Sequence, residues 1–242
     1  MTRTLKVDGL ADRLLRVLLP LRCLLCGADG SGGRDLCAGC AGDFPINRPC
    51  CPRCALPLAT AAPLCGECLD LEPPFASAWA PFRYAHPLDL LEARFKFRGD
   101  LAAGRVLAEQ MIERAHADVP SRPKLMIAVP LHDSRLRQRG YNQAFELAKP
   151  VSRSLGIPLD RDALVRTRAT AAQTGLDATS RRRNLRGAFA WNAKRAPPEH
   201  VVLLDDVMTT GATLRECARV LRRAGVARVD VWALARAPQP RR

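Results

Sequence analysis

The sequence predicts an α/β fold in which an open, mostly parallel sheet is flanked by helices and preceded by a small cysteine-rich module. Two apolar runs, residues 125–129 and 201–204, have the unbroken hydrophobicity of strands that are buried on both faces of a parallel sheet. Each run leads into a segment of helical periodicity. Nine of the ten cysteines fall between Cys23 and Cys68. A chain of 242 residues is long enough for one sizeable core and one small appended module.

Residues 1–22 are predicted to form an amphipathic helix. Their apolar positions recur at helical spacing, at Leu10, Leu14, Val17, Leu18 and Leu21. Charged residues interrupt this apolar run, which distinguishes it from a signal peptide, and no stretch approaches the roughly 18 consecutive apolar residues of a transmembrane helix. We therefore expect no transmembrane segment and a cytoplasmic location, either free or peripheral at the inner face of the membrane.

Residues 23–72 form the predicted cysteine-rich module, which contains two repeats with a period of 28 residues. Each repeat has two CxxC pairs separated by ten residues, and the ligand sets are Cys23, Cys26, Cys37 and Cys40, then Cys51, Cys54, Cys65 and Cys68. Two CxxC turns supply four thiolates to one tetrahedral ion, so the spacing predicts two structural zinc sites, one per repeat. A segment with so few large apolar residues needs such a metal to fold.

The spacing leaves alternatives open within this module. An interleaved arrangement, in which the first CxxC pair joins the third, uses the same eight residues. An iron–sulfur cluster is the alternative to zinc. Cys50 is left over as a free thiol, a substitute ligand or a buried small residue, whereas Cys217 is expected in the core. The expected cytoplasmic location argues against disulfides.

Strands and helices alternate after the double proline at residues 73–74. Residues 75–84 are strand-like, and residues 88–117 have helical periodicity with a break near Gly99 and Asp100. Beside this break, Lys96 is a candidate anion contact near a cleft; the alternative is a solvated charge between two core phenylalanines. A helix over residues 142–155 is expected to turn Ala144, Leu147, Ala148 and Val151 inward, and residues 164–166 are expected to form a short strand.

Basic residues concentrate in the second part of the chain. Residues 101–242 carry 26 Lys and Arg against 13 Asp and Glu, whereas residues 1–100 carry 12 against 11. Such a domain attracts polyanions, either diphosphates or nucleic acid. Three arginines, Arg135, Arg137 and Arg139, fall in a predicted loop at the carboxyl end of the first buried strand. Ligands bind at that edge in open α/β sheets, and guanidinium groups suit pyrophosphate.

A second basic group gives the strongest candidate nucleic-acid face. Twelve basic residues stand against four acidic ones between Arg135 and Arg186. The group includes Arg181, Arg182, Arg183 and Arg186. The alternative for this run of arginines is a solvated, charged helix.

Residues 201–213, VVLLDDVMTTGAT, combine a strand, an acidic pair and a hydroxyl-rich turn. Asp205 and Asp206 follow the buried strand, where carboxylates are costly without a cation or a hydroxylated ligand. The turn, Thr209, Thr210, Gly211, Ala212 and Thr213, precedes a helix expected over residues 212–224. Backbone N–H groups, hydroxyls and a helix N-terminus suit a phosphate dianion. The aspartates are then placed for ribose hydroxyls or Mg²⁺, and the alternative is an ordinary loop whose threonines cap the helix.

These thirteen residues resemble the phosphoribosyl diphosphate binding motif of the type I phosphoribosyltransferases. The resemblance implies that Asp205 and Asp206 are catalytic residues on the ribose hydroxyls, and that residues 209–213 bind the 5-phosphate. It also implies a type I phosphoribosyltransferase-like domain over residues 73–242, Mg²⁺ bound together with phosphoribosyl diphosphate, and a flexible loop at residues 167–179 that closes over the substrate.

Further motifs restrict the resemblance to one family of phosphoribosyltransferase-like proteins. The cysteine module, the VPL strand end, the RGYNQA segment and the late VVLLDDVMTTGAT together resemble the ComF family, the competence-associated phosphoribosyltransferase-like proteins. This resemblance implies a role in uptake of single-stranded DNA, with a DNA-translocation ATPase as a partner of the zinc module. The alternative is a metabolic phosphoribosyltransferase, a pentosyl transferase acting on a nucleobase or amine. The residues identify no acceptor for the phosphoribosyl group, so they do not decide whether the protein catalyses its transfer.

Overall fold

The computed structural model describes residues 21–119, 123–168, 185–192 and 196–238. Three predictions fall outside this part of the chain: nearly all of the amphipathic helix over residues 1–22, most of the loop at residues 167–179, and Arg181 to Arg183. The chain divides into two compact units, Met1–Phe44 and Pro45–Arg242. No helix among the described residues is long and apolar enough to cross a membrane.

The first unit is a small cysteine-containing ribbon. Cys23 N–H donates to the carbonyl of Ala28 at 2.7 Å, and Gly27 N–H donates to the carbonyl of Cys23 at 2.9 Å, which closes a tight turn around the first CxxC pair. Helix α1, Ala38–Gly42, contains Cys40 of the second pair, and the sulfur of Cys37, its N-cap residue, accepts from Cys40 N–H at 3.4 Å. The turn and the helix together present four cysteines from one repeat.

The second unit is the α/β domain, and its sheet is built from parallel strands. The strand order is β1-β8-β7-β3-β4, with β2 also paired to β8. These strands are β1 Ser77–Trp79, β2 Phe82–Arg83, β3 Leu125–Ala128, β4 Leu159–Asp160, β7 His200–Met208 and β8 Arg228–Arg236. A separate antiparallel pair joins β5 Leu164–Arg166 to β6 Phe189–Trp191. The predicted open, mostly parallel sheet is confirmed.

The helices follow the predicted pattern with one exception. They are α2 Gly66–Asp70, α3 Leu88–Arg98, α4 Leu101–Asp118, α5 Asp133–Arg139, α6 Gln143–Leu155 and α7 Ala212–Arg223. The break between α3 and α4 is confirmed: Gly99 adopts a left-handed φ of 69°, and Asp100 caps α4 by accepting from Ala103 N–H at 3.1 Å. The four expected residues of α6 are buried, and Asn142 caps that helix.

Two local predictions were wrong. The arginine-rich segment after β3 is helix α5 rather than a loop, because His132 caps its start and Gly140, at a φ of 80°, ends it. Strand β7 does not end before the acidic pair. It continues to Met208, because β8 runs beside it in register from His200↔Arg228 to Met208↔Arg236. The two carboxylates therefore belong to the last four residues of the paired strand.

Candidate functional site

The carboxyl ends of β3 and β7 meet at one edge of the sheet and form a cleft of about 330 Å³. Parallel pairing places Ala128 beside Leu204, so the segments that follow both strands open on the same side. Ten of the residues singled out in the sequence line this cleft: Lys96, Arg135, Arg139, Asp205, Asp206, Thr209, Thr210, Gly211, Ala212 and Thr213. Arg137 lies exposed on α5 and is not among the lining residues. The topology thus gathers segments more than 100 residues apart.

The TTGAT loop, residues 209–213, joins β7 to α7. Gly211 is the N-cap residue of α7, with a φ of 71°, so the N-cap position itself holds no threonine. Thr210 Oγ1 accepts from the N–H of Ala212, the first residue of α7, at 3.3 Å, so one threonine hydroxyl satisfies a free N–H of the helix start, as the capping alternative expects. A Cβ added at Gly211 would lie 2.6 Å from Met208 Cε, the flexible end of a side chain that can shift, so the positive φ is the main reason for glycine here.

Asp206 belongs to a buried charge network beneath the cleft. Its Oδ2 lies 2.8 Å from Lys96 Nζ, which also lies 3.0 Å from Glu92 Oε1. Tyr84 O–H donates to Glu92 Oε2 at 3.1 Å. Burial alone would raise the pKa of Asp206, but the Lys96 ammonium and hydrogen bonds outweigh it and hold that pKa below its usual value. Asp206 is therefore an ionised carboxylate at neutral pH.

Lys96 lies at the cleft, as the sequence predicts, but in a different setting. Its nearest charged neighbours are the carboxylates of Asp206 and Glu92. Burial would lower the pKa of Lys96, and these two carboxylates raise it instead. The alternative of a solvated charge between two core phenylalanines does not describe it either, since Phe95 is buried and Phe97 is 72% exposed.

Asp205 differs from its neighbour although both project from β7. Burial, and next the negative charge of Asp206, raise the pKa of Asp205 well above its usual value. Its Oδ1 accepts from the backbone N–H of Asp206 at 2.9 Å. Two adjacent acids thus have opposite pKa shifts, and one ionised carboxylate stands beside one that is costly to ionise.

Asp205→Asn is expected to stabilise the protein at pH 7–8 by about 1–3 kcal/mol, because each unit by which the folded-state pKa is raised costs about 1.4 kcal/mol when the carboxyl ionises. A raised pKa in the folded state means that stability is intact below the ordinary aspartate pKa and is lost as the pH rises toward the folded value. The gain should therefore shrink toward pH 4. Urea unfolding across pH 4–8 measures it, with the exposed Asp162→Asn as the control. A variant less stable than wild type at pH 8 would contradict the assignment.

Arginines from two segments stand around the cleft. Arg135 and Arg139 come from α5, and the Arg139 guanidinium lies 5.8 Å from the centre of the exposed Phe97 ring. Arg166, at the end of β5, also lines the cleft and stacks 5.3 Å from the Phe189 ring. Burial, and next the proximity of Arg135, lower the pKa of Arg166. Cations thus converge on one side of the cleft.

Arg186 is the one described member of the four-arginine group proposed for nucleic acid. It is exposed, and its carbonyl accepts from Arg168 Nη2 at 2.9 Å. The role predicted for the group stays a prediction.

The structure adds site residues that we did not predict. Glu92 occupies the position one helical turn before Lys96, on the same face as the buried Leu88, Leu91 and Phe95. A charged residue on an otherwise apolar helical face is a signal in the sequence that could have identified it. Tyr84 follows β2 and reaches the same network.

The eight predicted ligands form two clusters of four cysteines, one per repeat, so the interleaved alternative is excluded. We call Cys23, Cys26, Cys37 and Cys40 the first cysteine site, and Cys51, Cys54, Cys65 and Cys68 the second cysteine site. In each, the four Sγ atoms lie within 4.8 Å of one another. The Cys26–Cys37 and Cys54–Cys65 sulfur distances are 3.7 and 3.5 Å, close to the roughly 3.8 Å edge of a tetrahedron with Zn–S bonds of about 2.3 Å.

None of the ten cysteines forms a disulfide. Cys50 is half-buried and lies outside both clusters, and Cys217 is buried in the core as expected. The ligand sets are closed, with four sulfurs each, which fits a structural metal.

Two family models match the chain: a double zinc ribbon domain over residues 14–69 and a phosphoribosyl transferase domain over residues 142–242. Together with the parallel sheet and the cleft, they define the class: a type I phosphoribosyltransferase-like fold with an N-terminal double zinc ribbon. The double zinc ribbon also favours zinc over an iron–sulfur cluster.

Proteins with similar sequences identify the family within this class. Competence protein F of Haemophilus influenzae is 39% identical over 180 residues, covering 71% of this chain and 78% of that protein. DNA utilization protein YhgH of Escherichia coli O157:H7 is 40% identical over 175 residues, covering 71% and 77%. The chain therefore belongs to the competence protein F (ComF) family. A solved structure, the glutamine phosphoribosylpyrophosphate amidotransferase from B. subtilis, is 20% identical with a TM-score of 0.35, covering 54% of this chain and 25% of that one.

Proposed function

We propose that this protein binds phosphoribosyl diphosphate, or a related ribose 5-phosphate ligand, together with Mg²⁺ in the cleft at the end of β7. The observation that carries the proposal is the pairing of the TTGAT loop with Asp205 and Asp206 at the end of one strand. A glycine-capped helix start offers backbone N–H groups to a phosphate. The adjacent carboxylates offer acceptors to ribose hydroxyls, so both ends of a ribose 5-phosphate find complementary groups in one cleft.

The remaining polar groups fit the other parts of such a ligand. Arg135 and Arg139 are proposed to bind the pyrophosphate, and Lys96 to keep Asp206 ionised. Mg²⁺ would be held largely by the diphosphate and the ribose hydroxyls, with the two aspartates nearby as oxygen ligands. Bound Mg²⁺ would neutralise part of the charge of the leaving pyrophosphate.

The same groups could support transfer of the phosphoribosyl group. As the bond from C1 to pyrophosphate loosens, the sugar gains oxocarbenium character, and the negative charge of Asp206 favours it. The arginines stabilise the charge that develops on pyrophosphate. Transfer to a nucleobase or amine, a glycosyltransferase reaction, is the second candidate function. It is favoured by the two adjacent carboxylates, which have opposite pKa shifts beside a phosphate site, and it requires pyrophosphate release that depends on an acceptor.

We further propose that the ligand site serves the handling of single-stranded DNA in natural competence. The support comes from relatives whose names are competence protein and DNA utilization protein, and from the basic excess of residues 101–242. The proposed DNA surface includes Arg181, Arg182, Arg183 and Arg186. The zinc ribbon would contact a DNA-translocation ATPase at the cytoplasmic face of the membrane. Salt-dependent binding of a single-stranded oligonucleotide tests the DNA surface.

Gly211→Ala is expected to lower the affinity for phosphoribosyl diphosphate about tenfold or more. A left-handed backbone costs a residue with a Cβ roughly 1–2 kcal/mol. We expect the free Ala variant to relax this strain by moving the loop, so that ligand binding must restore it, and about 1.4 kcal/mol is tenfold in affinity. The added methyl would also press on Met208 Cε, 2.6 Å away. Isothermal titration calorimetry of the full chain with excess Mg²⁺ measures the affinity.

Gly187→Ala is the matched control for this experiment. Gly187 has a similar φ of 70°, but an added Cβ there meets nothing within 4 Å. It should lose stability like the Gly211 variant and keep the affinity of wild type. Absence of heat or saturation with the wild-type protein would refute the proposed ligand. Equal affinities of all three proteins would remove the TTGAT loop from the site.

A further inference from the structure

Two buried arginines lie between the second cysteine site and the TTGAT loop. Arg236, at the end of β8, is 1% exposed, and Arg215, in the second turn of α7, is 6% exposed. Arginine is rarely buried to this extent unless its donors are satisfied and its charge is balanced. Neither side chain is exposed to solvent to any large extent. The presence of arginine at these two positions must therefore be explained by its buried partners.

Arg236 donates in two directions. Its Nε points to the carbonyl of Cys54, a ligand residue of the second cysteine site, at 3.3 Å. Its Nη1 donates to the carbonyl of Met208 at 2.9 Å and to that of Thr209, the first residue of the TTGAT loop. A further bond reaches the carbonyl of Ala237 at 2.9 Å. One rigid, planar guanidinium therefore holds the backbone of a metal-ligand turn and the backbone that enters the loop.

Arg215 makes a parallel link on the other side of the loop. Its backbone N–H donates to the carbonyl of Gly211 at 2.8 Å. Its guanidinium lies 4.0 Å from the carboxylate of Glu67, the residue between Cys65 and Cys68, and 5.8 Å from the centre of the Phe75 ring. Its Nε is buried without a hydrogen-bond partner among the described residues. This link is looser than that of Arg236, because its closest ion-pair distance is at the limit of contact.

The two cysteine sites differ in their surroundings although their ligand sets are alike. All four cysteines of the second site are at most 6% exposed, and they belong to the same compact unit as the cleft. In the first site, Cys26 is exposed and Cys37 and Cys40 are intermediate. The first site belongs to the other compact unit. The two repeats have the same cysteine spacing, but their sites therefore lie in different structural contexts.

We propose that Arg236 is a positioning residue that couples the second cysteine site to the TTGAT loop, so that loss of metal from this site loosens the loop and weakens phosphate binding. The inference rests on the proposed function for its effect on affinity, but not for its effect on the loop. A CxxC turn without its metal loses its fixed backbone. The carbonyl of Cys54 then leaves Arg236, and a buried guanidinium that loses an acceptor shifts to regain one. The same shift disturbs Met208 and Thr209.

The test compares equivalent ligands of the two repeats in the full chain. Cys68→Ser removes the fourth ligand of the second site, and Cys40→Ser removes the fourth ligand of the first. Hydrogen–deuterium exchange of the amides in residues 209–213 is measured without ligand, with the amides of α6 as an internal reference. We expect Cys68→Ser to speed exchange in the loop at least tenfold relative to α6. We expect Cys40→Ser to change it less than twofold.

Arg236→Lys tests whether the coupling passes through this side chain. A lysine ammonium can still donate to the carbonyls of Met208 and Thr209, but it lacks the fork that reaches Cys54 at the same time. This variant should therefore retain both zinc ions, and in its background Cys68→Ser should no longer change loop exchange. A merely structural role of Arg236 would instead speed exchange throughout α6, and the two substitutions would add.

Each outcome decides the proposal. Wild-type loop exchange in Cys68→Ser, the same effect in Cys40→Ser, or a Cys68→Ser effect that persists beside Arg236→Lys would each overturn it. If Cys68→Ser does not fold, zinc binding by the wild-type chain is measured in place of the exchange experiment on that variant. Because the coupling of binding free energies is reciprocal, saturating inorganic phosphate should raise the affinity for one of the two zinc ions about tenfold, and not in Arg236→Lys. Competition with a chelator at equilibrium measures this affinity. Where calorimetry of the same protein shows phosphate binding, zinc affinities that are equal with and without phosphate would refute the coupling.

The proposed function can fail separately. If the wild-type chain does not bind phosphoribosyl diphosphate in calorimetry, that function is refuted, whereas the exchange measurements still decide whether the second cysteine site controls the loop. If binding occurs and loop exchange is independent of the second cysteine site, the proposed function stands and the coupling fails.

Discussion

Replacing both acidic residues, as Asp205→Asn with Asp206→Asn, is expected to weaken the binding of phosphoribosyl diphosphate at least about 100-fold. In the proposed complex each carboxylate accepts a hydrogen bond from a ribose hydroxyl, and a hydrogen bond to a charged group contributes about 1.5–3 kcal/mol. Two such losses remove about 3 kcal/mol or more, and about 1.4 kcal/mol is tenfold in affinity. Calorimetry with excess Mg²⁺ measures the loss.

The double variant should remain folded, because Lys96 keeps the Glu92 carboxylate at 3.0 Å as its partner. Asp70→Asn, at an exposed position on α2, is the control and should bind like wild type. An affinity of the double variant within threefold of wild type would show that the acidic pair takes no part in ligand binding.

The same double variant separates ligand binding from DNA uptake. In cells that depend on this protein for transformation, loss of transformation together with ligand binding would link the cleft to uptake. Transformation that survives without ligand binding would assign uptake to other surfaces, such as the basic face or the zinc ribbon. Ligand binding and transformation should therefore both be measured with this double variant.

Lys96→Met is expected to destabilise the protein by about 3 kcal/mol at neutral pH, as removal of one partner from a buried ion pair does. The side chains of Glu92 and Asp206 are only 2% and 12% exposed, so both carboxylates would remain buried without their cation. Guanidinium chloride unfolding at pH 7 measures the change. A destabilisation below about 1 kcal/mol would contradict the role of Lys96 as the cation of this network.

Lys149→Met is the matched control for this variant. Lys149 also pairs with a glutamate, Glu146, at 2.5 Å, but their side chains are 37% and 26% exposed. Exposed pairs contribute at most about 1 kcal/mol, so this variant should be nearly neutral.

The deficit of Lys96→Met should also depend on pH. Without Lys96, the folded-state pKa values of both acids rise, and stability is then lost as the pH rises through them. The deficit should be smallest near pH 4 and largest above pH 7.

Several features follow from short-range patterns in the sequence. The buried strands appear because residues 201–204 are apolar without interruption, and in the structure all four are fully buried. The break at Gly99 and the end of α6 at Gly156 follow from glycines with left-handed backbones. Spacing favours the grouping of cysteines by repeat, since ten intervening residues can bring two CxxC turns to one ion, but it also allows the interleaved pairing that the structure excludes. In each case the relevant partners are close along the chain.

Other features could not be predicted because they depend on pairing with distant segments. The extent of β7 is set by β8, whose residues end in register with Met208 at Arg236. Helix α5 was predicted as a loop because a charged segment of seven residues shows no apolar periodicity. Lys96 was expected to meet an anion of the ligand, and only the packing of α3 against the end of β7 gives it Asp206 as a neighbour.

The sequence by itself determined the composition of the site: an acidic pair, the TTGAT loop, a set of arginines and two sets of four cysteine ligands. Tertiary structure alone decided how these parts meet. It made Asp206 an ionised partner of Lys96, raised the pKa of Asp205, and joined the second cysteine site to the loop through Arg236. The physical reason is distance along the chain. Arg236 and Cys54 are 182 residues apart, and no local pattern reveals that a buried guanidinium will donate to both a metal-ligand turn and the entrance of the loop.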